Sequence, residues 1–149
     1  MSLKQNIFEA CAQLLDQKID ALNHSLQQVT ESADNETKST AGDKYETARA
    51  MMQMEQEKLG RQLKEISEQR SQLQKIDISL THQTVAKGSL VLTDKGYLFI
   101  SVGIGKVQAD GETVIAISPL SPLGKKLIGL KPDDRIELNG TAYTIKSLA

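Results

Sequence analysis

The strongest constraint on the fold is a seven-residue spacing of apolar side chains in the first half of the chain. After residue 43 these side chains recur at heptad intervals, as Tyr45, Met52, Leu59, Ile66 and Leu73. A comparable apolar stripe comes earlier, made by Phe8, Cys11, Leu15, Leu22 and Val29. Such spacing places apolar side chains on one side of a helix, where a second helix can bury them. Residues 33–43 between the two patterns are rich in Ser, Thr, Asp and Asn, which disfavour helix interiors. The pattern therefore predicts an antiparallel helical hairpin, and a parallel dimer of one long helix is the alternative.

The turn of this hairpin is acidic. Residues 30–46 have a net charge of −3, with Lys38 and Lys44 opposed by five acids, which are Glu31, Asp34, Glu36, Asp43 and Glu46. Carboxylates at the start of the second helix are explained by capping, for which Asp43 or Thr40 is the candidate, and by its dipole. The same dipole disfavours acids at the end of the first helix. Two interpretations stay open, a functional acidic tip near 31–46 and a turn that is merely capped and solvated.

The second half of the chain has the pattern of strands and turns. All three prolines and eight of the ten glycines follow residue 80. Asp94-Lys95-Gly96 and Asn139-Gly140 separate apolar runs and predict hairpin turns. Ala109-Asp110-Gly111 predicts a further turn, and residues 103–106 are interpreted as a turn at a strand end. A short helix is predicted after Ser121, which can cap it, with Pro122 in its first turn and Gly129 at its end. We therefore expect an α+β chain with a helical domain over 1–80 and a small antiparallel-sheet domain with one short helix over 81–149.

Several classes of protein are excluded or disfavoured by composition. The single cysteine, Cys11, allows no internal disulfide and lies in the apolar stripe, where we expect buried packing. No run of about 20 apolar residues is present, and no signal peptide is expected, so a cytoplasmic protein without a membrane span is predicted. The net charge of −1 predicts no bulk attraction to nucleic acid. His24 and His82 lack ligand-spaced partners and are expected to be solvated, so no intrinsic metal site is predicted.

Two stretches of this sequence resemble the Gre family of bacterial transcription elongation factors. The run S-P-L-G-K-K-L-I-G from Ser121 to Gly129 resembles the family's S-P-x-[AG]-[KR]-x-L-[IL]-G signature before its last two strands. The stretch Y-E-T-A-R that begins at Tyr45 resembles the Y-x-A-A-R stretch after the family's coiled-coil tip. The order of a helical hairpin followed by a strand module is also similar over nearly the whole chain.

The resemblance implies a specific fold and mode of action. It implies an antiparallel coiled coil followed by an FKBP-like domain that docks on RNA polymerase at its secondary channel. The docking residues implied on the short helix are Ser121, Pro122, Leu123, Lys125 and Lys126. The coiled coil would carry tip acids to the polymerase active site, and Asp34, Glu36 and Asp43 are the candidates. There they would help hold a shared Mg²⁺ ion, so that the polymerase cleaves its own backtracked transcript. The protein would be a monomeric accessory factor with no cofactor of its own, touching the transcribing nucleic acids only through the polymerase.

The tip departs from the family pattern, which reads roughly G-D-L-x-E-N-x-E-Y. Aligned without gaps on Tyr45, the three acids of that pattern fall on Lys38, Ala41 and Lys44. A second interpretation therefore keeps docking and abandons cleavage, so that the protein would occupy the channel and modulate transcription. Two further alternatives belong to other classes. One is a plain coiled-coil adaptor, and the other is a peptidyl-prolyl isomerase, which the few aromatic residues of the second half disfavour.

Overall fold

The computed structural model describes residues 2–39 and 43–149, and their side chains except those of residues 33–45. It confirms the α+β class, with two long helices followed by a six-stranded sheet and one short helix. The elements are α1 (Leu3–Ser39), α2 (Asp43–Gln74), β1 (Leu90–Thr93), β2 (Gly96–Ile100), β3 (Gly105–Ala109), β4 (Glu112–Ile117), α3 (Pro122–Leu127), β5 (Arg135–Leu138) and β6 (Thr141–Leu148).

The chain folds into two compact units. One comprises Met1–Gln13 with Gln69–Ala149, and the other comprises Leu14–Glu68. The first unit therefore contains the sheet together with the start of α1 and the end of α2. The domain boundary near residue 80 that the sequence suggested stays a prediction.

Within Leu14–Glu68 the two helices run antiparallel. Leu22 on α1 lines a groove with Ile66 on α2, whereas Val29 lines a groove with Met52. Later residues of α1 thus meet earlier residues of α2, as in a hairpin. Leu15 and Leu59 are buried, as the apolar spacing predicted.

The helices extend further into the predicted break than the composition indicated. Residues 33–39 were expected to interrupt the helix, but α1 continues to Ser39. Ser, Thr and Asn lower helix propensity by only a few tenths of a kcal/mol each, to about 0.7 kcal/mol at most, so they weaken a helix without ending it. Thr40, proposed as one cap of α2, lies outside the described residues.

The sheet has the order β3-β4-β2-β1-β6-β5 and is mostly antiparallel. The prediction of a wholly antiparallel sheet is wrong at one place, because β2 and β4 are parallel, with Phe99 opposite Ala116. After β2 the chain passes to the sheet edge as β3, and the β3–β4 hairpin then returns β4 into the position beside β2. Strand β3 itself was not predicted, since residues 103–106 were interpreted as a turn.

The two-residue turns lie where the sequence placed them. Asn139 and Gly140 join β5 to β6 with φ values of 51° and 80°, and Asp110 and Gly111 join β3 to β4 with 53° and 75°. Both residues of such a turn need positive φ, which Asn, Asp and Gly tolerate best. The turns therefore fix the register of both hairpins.

The core of the sheet lies partly under α3. One face contributes the buried residues Val91, Leu98, Ile100 and Ile145, which form a cluster with Leu127 of α3. Alternate residues of β1 and β2 point to the opposite face, where Leu90 and Phe99 are buried together with Val114 and Ala116 of β4. Both faces are thus apolar, and α3 covers one of them.

Candidate functional site

The short helix α3 begins at a fully formed serine cap. Ser121 has an extended backbone, and its Oγ accepts a hydrogen bond of 3.0 Å from the backbone N–H of Gly124. The same hydroxyl donates to the carbonyl oxygen of Ser118 at 2.7 Å. Pro122 occupies the first turn, where a missing N–H costs nothing. The Ser-Pro pair therefore fixes both the start of α3 and the loop that leads into it.

Gly124 allows this loop to pack directly on the helix. A Cβ atom at position 124 would collide with the backbone of Ser118 and Pro119. Gly124 is itself buried. The glycine at position 124 is thus explained by the close approach of two backbone segments.

The end of α3 is held by the segment that precedes β1. Gly129 has φ of 85°, which suits a residue that ends a helix, as predicted. Its N–H donates to the carbonyl oxygen of Val85 at 2.8 Å, and the N–H of Val85 donates to the carbonyl oxygen of Leu130 at 2.8 Å. Two backbone hydrogen bonds therefore connect the end of α3 to Val85.

The helix has one buried and one exposed side. Leu127 is buried in the core cluster, and Leu123 packs against the same cluster while remaining half-buried. Pro122, Lys125 and Lys126 lie three and four residues apart and are exposed. Three of the predicted docking residues, Pro122, Lys125 and Lys126, are thus exposed. Leu123 is half-buried, and the Ser121 hydroxyl forms the cap of the helix.

Two exposed apolar residues flank the helix. Leu120 is 76% exposed and Ile128 is 42% exposed, although each adjoins a residue of the helix or its cap. We call Leu120, Pro122, Lys125, Lys126 and Ile128 the α3 surface. Leu120 and Ile128 were not predicted as part of this surface, because apolar residues are ordinarily assigned to the core. An apolar surface with adjacent cations suits a partner with an apolar and acidic face.

The two lysines of the α3 surface differ in their contacts. Lys126 Nζ donates to the carbonyl oxygen of Glu137 on β5 at 2.7 Å. Among the residues whose side chains are described, none forms a hydrogen bond or ion pair with the side chain of Lys125, whose backbone N–H donates to Ser121. Lys125 is therefore the cation available to a partner, whereas Lys126 also anchors α3 to an edge strand.

The predicted tip acids stay predictions. Asp34 and Glu36 lie in the last turns of α1, and Asp43 is the first residue of α2, but their side chains lie outside the described ones. Across the part of the chain that is described, no group of three or more His, Cys, Asp or Glu residues could hold a metal ion.

The other singled-out side chains have structural roles. Cys11 is fully buried, and burial raises the pKa of its thiol to about 11, so it is an inert core residue as expected. The expectation that both histidines are solvated is wrong for His82, which is half-buried and contacts Ser89, because the chain folds back on itself there. No described helix is long and apolar enough to cross a membrane.

Comparison with known proteins does not identify a family for this chain. No protein-family model matches the chain, and no curated protein matches its sequence.

Proposed function

We propose that this protein is an RNA polymerase-binding transcription elongation factor of the Gre type. It docks through an FKBP-like C-terminal module at the secondary channel of the polymerase. It then stimulates the polymerase's own cleavage of backtracked transcripts, so it is an accessory factor rather than an enzyme. The observation that carries the proposal is the α3 surface, where a Ser-Pro-capped helix presents apolar groups beside a sheet, together with a lysine that has no partner among the described side chains.

The order of the elements supports the same proposal. Two long helices, of 37 and 32 residues, precede the sheet module and pack antiparallel over Leu14–Glu68. In the proposed mode of action, the turn of this helical pair would reach the polymerase active site. The tip of this pair is where the sequence collects Asp34, Glu36 and Asp43.

The chemistry proposed for the tip follows from its donor atoms. Mg²⁺ prefers carboxylate oxygens and retains several waters. In the polymerase active site, tip carboxylates would orient a shared Mg²⁺ ion and its bound water for phosphodiester cleavage. The chain itself supplies only the carboxylates and the distance at which they act.

A non-cleaving channel occupant is the second candidate. The observation that favours it is the replacement of the family's tip acids by Lys38, Ala41 and Lys44. Joint replacement of Asp34, Glu36 and Asp43 by Ala separates the two, because only a cleavage factor loses activity while binding is retained.

Binding to polymerase core enzyme from the same organism tests the docking step. We expect Leu120→Ala to weaken binding by about 1 kcal/mol or more, since it removes an exposed apolar contact. Lys125→Glu should slow association and reduce its salt dependence, because it reverses a charge at the interface.

Lys106→Glu is the matched control for Lys125→Glu. Lys106 is an exposed lysine on β3, at the opposite edge of the sheet from β5, against which α3 packs. Equal losses of binding for the two variants would contradict docking through the α3 surface. Absence of binding by the unaltered protein would contradict the proposed function altogether.

A further inference from the structure

The segment before β1 contains a small polar cluster that no part of the proposed function uses. His82 Nδ1 lies 2.9 Å from Ser89 Oγ, and Ser89 is fully buried. Ser89 Oγ also accepts a hydrogen bond of 2.9 Å from the backbone N–H of Ala86. The His82–Ser89 contact therefore closes residues 82–89 into a loop, which we call the His82 loop.

The charge state of His82 decides whether this contact is satisfied. In the neutral tautomer that carries its proton on Nε2, Nδ1 accepts the hydroxyl proton of Ser89, while Ser89 Oγ accepts from Ala86. Protonation of Nδ1 makes it a donor, so the Ser89 hydroxyl proton loses its acceptor. Among the described residues no other acceptor contacts Ser89 Oγ, and an unsatisfied buried polar group is costly.

The surroundings of His82 also oppose a positive charge. Burial, together with the charge of Lys4 on α1, lowers the pKa of His82 below its usual value, while the backbone of Ala149 acts in the opposite direction. Lys4 is itself buried, and its Nζ donates to the carbonyl oxygen of Leu80 at 2.8 Å. Asp77 partly compensates the charge of Lys4. Lys87, the lysine within the loop, donates instead to Gln72 at 2.9 Å.

The His82 loop is connected to the α3 surface through the backbone. Val85 lies inside the loop, is buried in the core cluster, and forms the two hydrogen bonds to Gly129 and Leu130 at the end of α3. Ile128 of the α3 surface directly precedes these residues. Opening of the loop would therefore remove the contacts that fix the end of α3.

We propose that the His82 loop is a proton-sensitive clasp that holds the C-terminal end of α3 when His82 is neutral and releases it when His82 is protonated. The opened loop exposes His82 to water, where the imidazole has its ordinary pKa of about 6.5. The opened state therefore binds a proton more readily than the closed state. Stability of the closed loop is complete above about pH 6.5 and decreases as the pH falls below that value.

Amide hydrogen exchange followed by NMR on the full chain tests the clasp. Protection factors, corrected for the intrinsic pH dependence of exchange, are measured for Val85 and Gly129 between pH 7.5 and pH 5. We expect both to fall several-fold toward pH 5, in parallel with the titration of the His82 ring. In His82→Gln the protection should be independent of pH over this range, because no group at position 82 titrates.

The chain provides a close control, because it contains only two histidines. His24 is exposed on α1 within Leu14–Glu68, so His24→Gln should retain the full pH dependence at Val85 and Gly129. Ser89→Ala should lower protection at pH 7.5 and leave little further loss at pH 5. Constant protection in the unaltered protein, or loss of the pH dependence in His24→Gln, would overturn the proposal. Both readouts are independent of RNA polymerase, so they do not depend on the proposed function.

Discussion

The carbonyl oxygen of Ser118 occupies the space that a Cβ atom on Gly124 would need. The same carbonyl oxygen accepts the hydroxyl proton of Ser121. One backbone atom thus links the loop after β4, the cap of α3 and the first turn of that helix. The orientation of the α3 surface follows from this packing.

Gly124→Ala is predicted to disrupt this packing. The added methyl group meets backbone atoms, which cannot rotate away, so we expect a loss of about 1–3 kcal/mol in the free energy of unfolding. Gly60→Ala is the matched substitution, because no described atom outside its own helix lies within 4 Å of a Cβ there. Gly60→Ala should stabilise α2 by about 0.5–1 kcal/mol. Urea denaturation followed by circular dichroism measures both, and equal effects would contradict the close approach at Gly124.

Ser121→Ala is predicted to weaken the start of α3. It removes the hydrogen bond to the N–H of Gly124, and loss of such a cap costs about 0.5–2 kcal/mol. Ser121→Thr keeps the hydroxyl and should retain nearly all of the stability. The free energy of unfolding and the exchange rate of the Gly124 amide report the change. An unaltered Gly124 exchange rate in Ser121→Ala would show that the cap contributes nothing.

The apolar patterns were sufficient to predict most of the fold. Leu15 and Leu59 are buried because the heptad spacing places them between two helices, and the Asn139-Gly140 turn specifies its own hairpin. Strand β3 was not predicted because Gly103 and Gly105 resemble a turn. Its pairing with β4, across the turn at Asp110-Gly111, is what makes it a strand. The parallel β2–β4 pair depends on which strand fills the position beside β2, and local sequence carries no signal for that choice.

The candidate site was predictable only in part. Ser121 and Pro122 have a local preference for a helix start, so their positions could be predicted. The exposure of Leu120 depends on tertiary packing, and the His82–Ser89 contact depends on how the chain folds back over seven residues. Such contacts leave no periodicity in the sequence, which is why a solvated His82 was expected.

Replacing the two lysines of α3 is predicted to have different effects on the stability of the protein, as well as on binding. Lys126→Ala removes the hydrogen bond to the carbonyl oxygen of Glu137, so we expect a loss of about 0.5–1 kcal/mol in the free energy of unfolding. Lys125→Ala should change it by less than about 0.5 kcal/mol, because its side chain is exposed and has no described partner. Parallel denaturation curves of the two variants provide the comparison. A larger loss for Lys125→Ala would contradict the assigned contacts.

Lys4→Met is predicted to raise the pKa of His82. The substitution keeps a long apolar side chain but removes a charge that lowers this pKa. Burial, the larger cause, remains, so the pKa should stay below that of a free imidazole. NMR titration of the His82 ring measures the shift.

Lys87→Met is the control for that titration. Lys87 is a cation of the same loop that contacts Gln72, and its removal should leave the His82 titration nearly unaltered. A larger shift in Lys87→Met than in Lys4→Met would show that the charge near His82 has been assigned to the wrong residue.

Transcript cleavage in a stalled, backtracked complex tests the central claim most directly. RNA polymerase from the same organism is halted, and release of the 3′ RNA fragment is followed with and without the protein in the presence of Mg²⁺. We predict faster release with the unaltered protein and with Lys106→Glu, and no acceleration when Asp34, Glu36 and Asp43 are all replaced by Ala. Binding without acceleration would indicate a non-cleaving channel occupant. No acceleration and no binding at saturating protein would contradict the assignment to the Gre type.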